Sequence, residues 1–366
     1  MKVLALVPGE NRVNPGQRFR VEQWEPVLRE RGIEITYSPF VTAALGSILY
    51  LRGRHVAKAA HLAAAYFRQF QSLFRARRFD LVYVFREATL IGPAVVEPLM
   101  VRQGLPVVFD FDDAIFVRYV SPANGYLSYL KSFGKAARLC REAREVMVGN
   151  DYLREYALRF NRSVTVIPTS IDVDRYRPER RRPAPDGVPL IGWTGSHSTL
   201  QHLQAAAPIL SRLARRHRFR LVVISSPGDA VPEMPGVEVE FRPWRAESEV
   251  EDLADLEIGI MPLPDDNWTR GKCGLKALQY MALGIPTVAS AVGVNTEIVE
   301  HGVNGFLAAS EEAWIQSLGR LLEDRGLRQK LGAAARQTVL EKYAGGPTAR
   351  RVAEVFERAV SRTSGS

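Results

Sequence analysis

Short apolar runs alternate with amphipathic helical patterns along this chain in two separate series. In the first half, residues 3–7, 33–37, 81–85, 107–110, 146–148 and 164–167 read as short buried strands. The second half repeats the rhythm at residues 190–193, 220–225, 237–241, 257–261 and 287–290. Helical patterns lie between them. Residues 17–31, for instance, set Val21, Trp24, Val27 and Leu28 on one face, with Gly32 as a stop. Such a rhythm builds a parallel sheet covered by helices, so the two series predict an α/β protein with two doubly wound, Rossmann-like domains. A length of 366 residues is also more than one core usually serves. Residues 176–189 (YRPERRRPAPDGVP) are rich in proline and charge, lack periodicity, and read as the linker. The expected domains are therefore residues 1–180 and 186–345, followed by a closing helical stretch over 346–366.

Composition removes several function classes. Two cysteines far apart, Cys140 and Cys273, make neither a metal spacing nor a disulfide framework, which favours a reducing cytosol. The opening MKVLALVPGE reads as a first buried strand and not as a signal peptide, and no run of 18 apolar residues exists. The net charge of +9 is unevenly spread. Between Glu34 and Asp80 there is no acidic residue. That segment carries Arg52, Arg54, Lys58, Arg68, Arg75, Arg77 and Arg78, interleaved with Leu49, Tyr50, Leu51, Leu62, Tyr66, Phe67, Phe70, Leu73 and Phe74. Two readings stand: a packed helix pair with a solvated basic face, or docking of residues 46–78 on an anionic membrane surface. Nucleic acid is not an expected partner, because no recognition motif accompanies the charge.

Ligands of open parallel sheets sit beyond the carboxyl ends of the strands, so the turns there hold the candidate chemistry. After residue 193 comes Thr194-Gly195-Ser196-His197-Ser198-Thr199, a glycine with hydroxyls at a helix start. It suits a diphosphate, or a plain helix cap by Ser196 or Thr199. Further on, residues 262–274 (PLPDDNWTRGKCG) precede a helix beginning near Leu275, with Lys272 in the loop and Lys276 in the first helical turn. A cation there opposes the helix dipole unless an anion is bound. Lys272, Lys276, Arg270 and the helix amides suit a diphosphate leaving group and would do the work a metal does elsewhere. In the first half, Asp110-Phe111-Asp112-Asp113 gathers three carboxylates at a strand end. Asp112 and Asp113 either cap a helix or accept a proton from an acceptor hydroxyl, and Arg86 and Glu87 follow the preceding strand. Asp110-Phe111-Asp112 also fits a common D-x-D metal motif, but the phosphate-seat features lie in the other domain, and no metal is expected. His197 and His202, five apart, do not share a helix face and are not read as ligands.

Residues 262–343 closely resemble the nucleotide-sugar-binding segment of family 4 glycosyltransferases, which have the GT-B fold of two facing Rossmann-like domains. Leu278-Gln279-Tyr280-Met281-Ala282-Leu283-Gly284-Ile285-Pro286 stands where that family reads L-E-A-M-A-x-G-x-P. Val292-Gly293-Val294-Asn295-Thr296-Glu297-Ile298-Val299 takes the place of its Gly-Gly turn and E-I-V. His301-Gly302-Val303-Asn304-Gly305-Phe306-Leu307, read as a hairpin, matches x-G-x-N-G-F-L. The resemblance implies a hexosyltransferase of retaining type that moves sugar from a nucleoside-diphosphate sugar to an acceptor glycan, lipid-linked or small-molecule hydroxyl. It implies no cofactor, while the cysteine usage and the basic segment give the expected place, cytoplasmic and peripheral at the inner membrane face.

The resemblance also assigns residues. Arg242 and Trp244, in the turn after residue 241, would meet the nucleobase. Gln279 would bind a ribose hydroxyl, with Asn295 and Glu297 beside the donor. Gly16, Arg18 and Arg20 would form the first-domain loop, and residues 350–359 a helix returning to the first domain. One departure matters: the family's pair of glutamates falls at Gly271 and Gln279, so the stereochemical outcome does not follow from the residues. Two other readings remain, a nucleotide-sugar epimerase of the same fold and a non-catalytic basic protein that binds membrane or nucleic acid.

Overall fold

The computed structural model describes residues 1–11, 14–49, 54–118, 132–182 and 186–361. Tyr50, Leu51 and Arg52 of the basic segment, residues 183–185 of the proline-rich stretch and the closing RTSGS lie outside them. The chain forms two compact units, Met1–Thr169 with Gly346–Ser366, and Ser170–Gly345.

The first unit begins β1 (Lys2–Gly9), α1 (Pro15–Arg20), α2 (Glu25–Glu30), β2 (Glu34–Val41), α3 (Ala43–Leu49), α4 (His55–Ala76) and β3 (Leu81–Phe85). It continues α5 (Val96–Arg102), β4 (Val107–Phe111), α6 (Lys135–Glu142), β5 (Glu145–Val148), α7 (Asp151–Leu158) and β6 (Val164–Val166). The sheet order is β2-β1-β3-β4-β5-β6, and every pairing is parallel. β3 and β4 are buried along their whole length, as continuous apolar runs covered on both faces must be. The helical pattern of residues 17–31 is broken. α1 stops at Val21, a 3₁₀ turn spans Glu22–Trp24, and α2 restarts with Pro26 in its first turn. Proline has no N–H to donate, and its ring clashes with the carbonyl four residues back, so the helix cannot run through.

The second unit holds β7 (Leu190–Thr194), α8 (Leu200–Ala214), β8 (Arg220–Ser225), β9 (Glu238–Pro243), α9 (Glu249–Ala254) and β10 (Ile258–Met261). After these come α10 (Leu275–Ala282), β11 (Thr287–Ser290), α11 (Asn295–Ile298), β12 (Gly305–Ala308), α12 (Glu311–Glu323) and α13 (Arg325–Lys342). Its sheet is again six parallel strands, in the order β12-β11-β10-β7-β8-β9. β12 corrects the hairpin expected around Gly302–Gly305: the turn delivers an edge strand that pairs parallel with β11, Val288 opposite Phe306.

The proline-rich stretch is no free linker over its described part. Residues from Ser170 onward run with the second unit, where Tyr176 is buried and donates to Glu249 at 2.8 Å. Entry and exit of that unit are tied together, since Ile171 N–H bonds to Tyr343 O (2.8 Å) and Gly345 N–H to Ile171 O (2.9 Å). From there α14 (Gly345–Ser361) packs its apolar face into the first unit's core. Val352, Val355 and Phe356 meet Val3, Trp24 and Tyr83, with the rings of Tyr83 and Phe356 5.5 Å apart.

Beneath this core lies a buried ion pair. Arg20 and Asp110 are inaccessible to solvent and joined directly, Tyr83 Oη donates to Asp110 at 2.6 Å, and Arg20 also donates to Ile167 O. Burial pushes the Asp110 carboxyl up from its ordinary value, and the guanidinium pulls it back. Arg20 therefore serves the core and is not presented by the first-domain loop, and Asp110 is not available as half of a metal motif. Removing one partner of a buried pair strands the other charge, which typically costs about 3–5 kcal/mol. Arg20→Met is expected to lower stability by about that amount in urea denaturation. A loss below about 1 kcal/mol would show that water reaches Asp110.

Candidate functional site

In the second unit β7 lies between β10 and β8, so the strand order reverses there and opens a crevice beyond the carboxyl ends. Space fixes the local sequence. A Cβ on Gly259 would overlap the Tyr280 ring, so the glycine lets α10 press that ring against β10. Tyr280 Oη then accepts the Thr194 N–H at 2.9 Å, pinning the end of β7. Gly195 follows, and a Cβ there would meet Trp193 and lie 2.7 Å from Thr199 Oγ1. Ser196 and Thr199 form a reciprocal capping box (Ser196 N–H to Thr199 Oγ1, 3.0 Å) and Ser196 and Ser198 hydroxyls touch at 3.0 Å, so the cap function expected of these residues is in place.

The loop after β10 is ordered from within. Asp266 Oδ1 accepts from the N–H groups of Trp268 (2.9 Å) and Thr269 (2.8 Å), and Thr269 Oγ1 donates to Pro264 O (2.6 Å). Gly274, at φ +72°, turns the chain into α10 where a side chain would collide with Ile298. Both lysines come out over indole rings. Lys272 Nζ stands 3.8 Å from the centre of Trp268, and Lys276 Nζ stands 4.4 Å from that of Trp193. Lys276 also donates to Thr199 Oγ1 (3.3 Å), joining the two turns. His202 packs on Trp268, with ring centres 5.6 Å apart.

Burial and like charge set the electrostatics here. Burial and then the charge of Lys272 bring the Lys276 ammonium down to about 7, and among the described residues no carboxylate pairs with it. Burial, followed by the two lysine charges, pushes His202 down to about 4, so its imidazole is neutral. Its Nε2 is buried with no hydrogen-bond partner. Trp193, Trp268 and His202 were not singled out as site residues from sequence. Their only signal there was their presence beside Gly195 and Lys272 and on the helix that follows.

The other candidates are placed elsewhere. Arg242 lies inside edge strand β9 and not in the turn after it, where its guanidinium is held by Glu240 (2.6 Å) and Asp255 (2.9 Å). Trp244 donates to Glu249 at 3.0 Å. Gln279 is buried and donates to Tyr176 Oη at 2.9 Å, so its amide points into a hydrogen-bond chain that runs on to the same Glu249. Arg270 is bound to Asp265 at 2.6 Å, and a Cβ on Gly293, in the loop after β11, would lie 3.0 Å from the Arg270 carbonyl oxygen. Asn295 is buried and donates to Ser290 O (3.0 Å), and Glu297 is exposed on α11.

In the first unit the strand order reverses between β1 and β3. Arg86, in the left-handed region at φ +59°, directs Nε to Asp112 Oδ1 at 2.7 Å. A Cβ on Gly16 would lie 2.9 Å from Arg86 and 3.3 Å from Asp112, so these three converge. Asp112 and Asp113 cap no helix, since residues 114–118 form turns and bends, and Asp113 accepts the Ala114 N–H (2.9 Å). Glu87 pairs with buried Lys135 at 3.1 Å, and Arg18 stacks on Phe19. Among the described residues no cluster of three His, Cys, Asp or Glu side chains could hold a metal ion.

Residues 188–324 match the family model described as Glycosyl transferases group 1. The matched stretch lies within the second unit and makes up most of it. Over 200 residues the chain is 30% identical to D-inositol 3-phosphate glycosyltransferase of Stackebrandtia nassauensis, covering 47% of this chain and 44% of that protein. It is 25% identical over 197 residues to the protein of that name from Nocardia farcinica, covering 47% and 42%. The match thus takes in less than half the length of these relatives. Across the whole chain, the sucrose-phosphate synthase structure from Thermosynechococcus elongatus superposes with a TM-score of 0.71 at 15% identity, covering 99% of this chain and 100% of that one. Anabaena HepE, solved with UDP and glucose, gives 0.65 at 15% identity, covering 98% and 100%. These likenesses establish the GT-B fold. The stretch matched by the family model spans β7 through α12, and so contains both turns, both lysines, Trp193 and Trp268.

Because Lys276 must be protonated to hold a dianion, its value near 7 sets a pH window. Below pH 7 binding of an anion beside Lys276, with inorganic sulfate as the probe, should be nearly pH-independent. Above it affinity should fall, by up to about tenfold per pH unit, until the liganded lysine itself titrates. Calorimetry between pH 6 and 9 reads this, and Lys276→Met should flatten the profile. The same lysine is a stability liability. Its pKa is lowered on folding, so the unfolded chain binds the extra proton, and stability rises as pH climbs from 7 toward the ordinary lysine range. Lys276→Met should therefore stabilise the unliganded protein at pH 7, by about 1 kcal/mol.

Proposed function

We propose that this protein is a glycosyltransferase that moves a sugar from a nucleoside-diphosphate sugar to an acceptor hydroxyl, with Lys272 and Lys276 holding the diphosphate in place of a metal. The observation that carries the reading is the pair of ammonium groups over Trp268 and Trp193 at the start of α10, one of them depressed to about 7 beside its neighbour. With burial and a neighbouring cation opposing the Lys276 charge, that lysine gains most when an anion arrives. As the bond between the anomeric carbon and the diphosphate oxygen breaks, negative charge grows on the leaving group. Fixed ammonium groups and the amides at the start of α10 then stabilise the transition state more than the ground state. HepE structures solved with UDP and with UDP-glucose support a uridine nucleotide as the first donor to test.

The acceptor oxygen forms the new bond to the anomeric carbon and must lose its proton. In the first unit Asp112, held by Arg86, is the carboxylate offered for it. The family resemblance favours a hexose donor and retention of configuration; the glutamate positions filled by Gly271 and Gln279 leave that step to other groups.

Screening nucleoside diphosphates and their sugars by thermal shift identifies the donor, and a ligand at a hundred times its Kd should add about 2.7 kcal/mol. With that donor, Lys272→Ala should cut kcat/KM for transfer by about a hundredfold or more while leaving the unliganded melting curve in place. Unchanged turnover would remove the lysine clamp. Release of an altered nucleotide sugar without any glycosylated acceptor would make the protein an epimerase instead.

A further inference from the structure

We propose that the outward face of α4 seats this protein on an anionic lipid surface. α4 is a two-faced helix. Its inner side, with Ala65, Gln69, Leu73 and Ala76 buried, packs against its own unit, where Tyr66 meets Phe40 at 5.3 Å. Its outer side carries Val56, Phe67, Phe70 and Phe74, exposed at 85%, 64%, 39% and 83%. With Ala60 and Ala63 these positions follow a 3–4 residue spacing, so they form one stripe, about 27 Å long at 1.5 Å per residue. Three exposed phenylalanines on one stripe are not scattered surface residues, and a contiguous apolar strip of this kind marks an interaction site.

The charges say what covers it. Arg75, Arg77 and Arg78 are exposed at the end of α4, Arg54 and His55 at its start, and no acidic residue occurs between Glu34 and Asp80. A second copy laid antiparallel on the stripe would bring the cations at the end of one helix against those at the start of the other, and a parallel copy would set like ends together. Nothing negative in either stripe would offset them. A layer of lipid phosphates suits both ends at once, with the phenylalanine rings entering the boundary between headgroups and acyl chains.

The surface belongs to the first unit and stands independently of the donor seat, so each can fail alone. Flotation with vesicles tests it. Wild-type protein should float with phosphatidylcholine vesicles rich in phosphatidylglycerol and stay behind with pure phosphatidylcholine. The triple variant Phe67→Ser, Phe70→Ser, Phe74→Ser should lose at least about tenfold in partitioning. It should keep the wild-type circular dichroism spectrum and thermal shift with UDP, since all three side chains face solvent. Arg75→Gln, Arg77→Gln, Arg78→Gln should lose roughly fivefold per charge, and added salt should weaken what remains. Equal flotation of the phenylalanine variant, or no preference for the anionic vesicles, overturns the proposal. So does a concentration-dependent dimer in light scattering that those serines abolish.

Discussion

Tyr280 reaches across the second sheet because Gly259 leaves room for its ring, and its hydroxyl takes the N–H of Thr194. That contact fixes α10 against β10 and the end of β7 at once. Thr199 follows one end and Lys276 begins the other, and their 3.3 Å hydrogen bond depends on both. The indole faces beneath the two lysines belong to the same frame. Trp193 is the residue before Thr194, and Trp268 sits on the loop that feeds α10. The geometry of the two turns therefore rests on one phenol held in the space that Gly259 leaves.

What the frame holds is charge kept partly out of water. An indole face attracts an ammonium without neutralising it, whereas a carboxylate would cancel its charge. His202 extends the logic, since a neutral ring beside two cations adds a polar group without adding a third charge. The first unit handles its charges in the opposite manner. Arg20 and Asp110 are sealed as a pair, and Arg86 and Asp112 are paired near the surface, each serving the position of the other.

Much of the architecture was legible because buried parallel strands are continuous apolar runs, and eleven such runs were readable before the twelfth. β12 escaped because Gly-Phe-Leu-Ala is four residues long and follows a turn that looks like a hairpin. The break at Val21 was hidden because Pro26 lies one turn beyond it, with apolar spacing maintained throughout. Arg242 was misplaced for a related reason. An edge strand tolerates Pro243 inside it, so β9 runs two residues further than its apolar pattern. At the site, the two lysines and the glycine turn could be picked out by residue type and spacing. Their union with Trp193 and Trp268 could not, because it depends on β7 and β10 being neighbours, and strand order leaves no local mark. The same is true of Arg20 and Asp110, which lie 90 residues apart.

The placement of α14 has a further consequence for how such a chain is made. Its Val352, Val355 and Phe356 complete a core whose other members were laid down in the first 167 residues. During synthesis, the first unit therefore stays open along one face while the whole of the second is translated. The second unit, whose entry and exit are zipped together at Ile171 and Tyr343, has everything it needs before α14 emerges. The order of completion is thus the reverse of the order of the genes' codons: the part that starts the chain is the last to close.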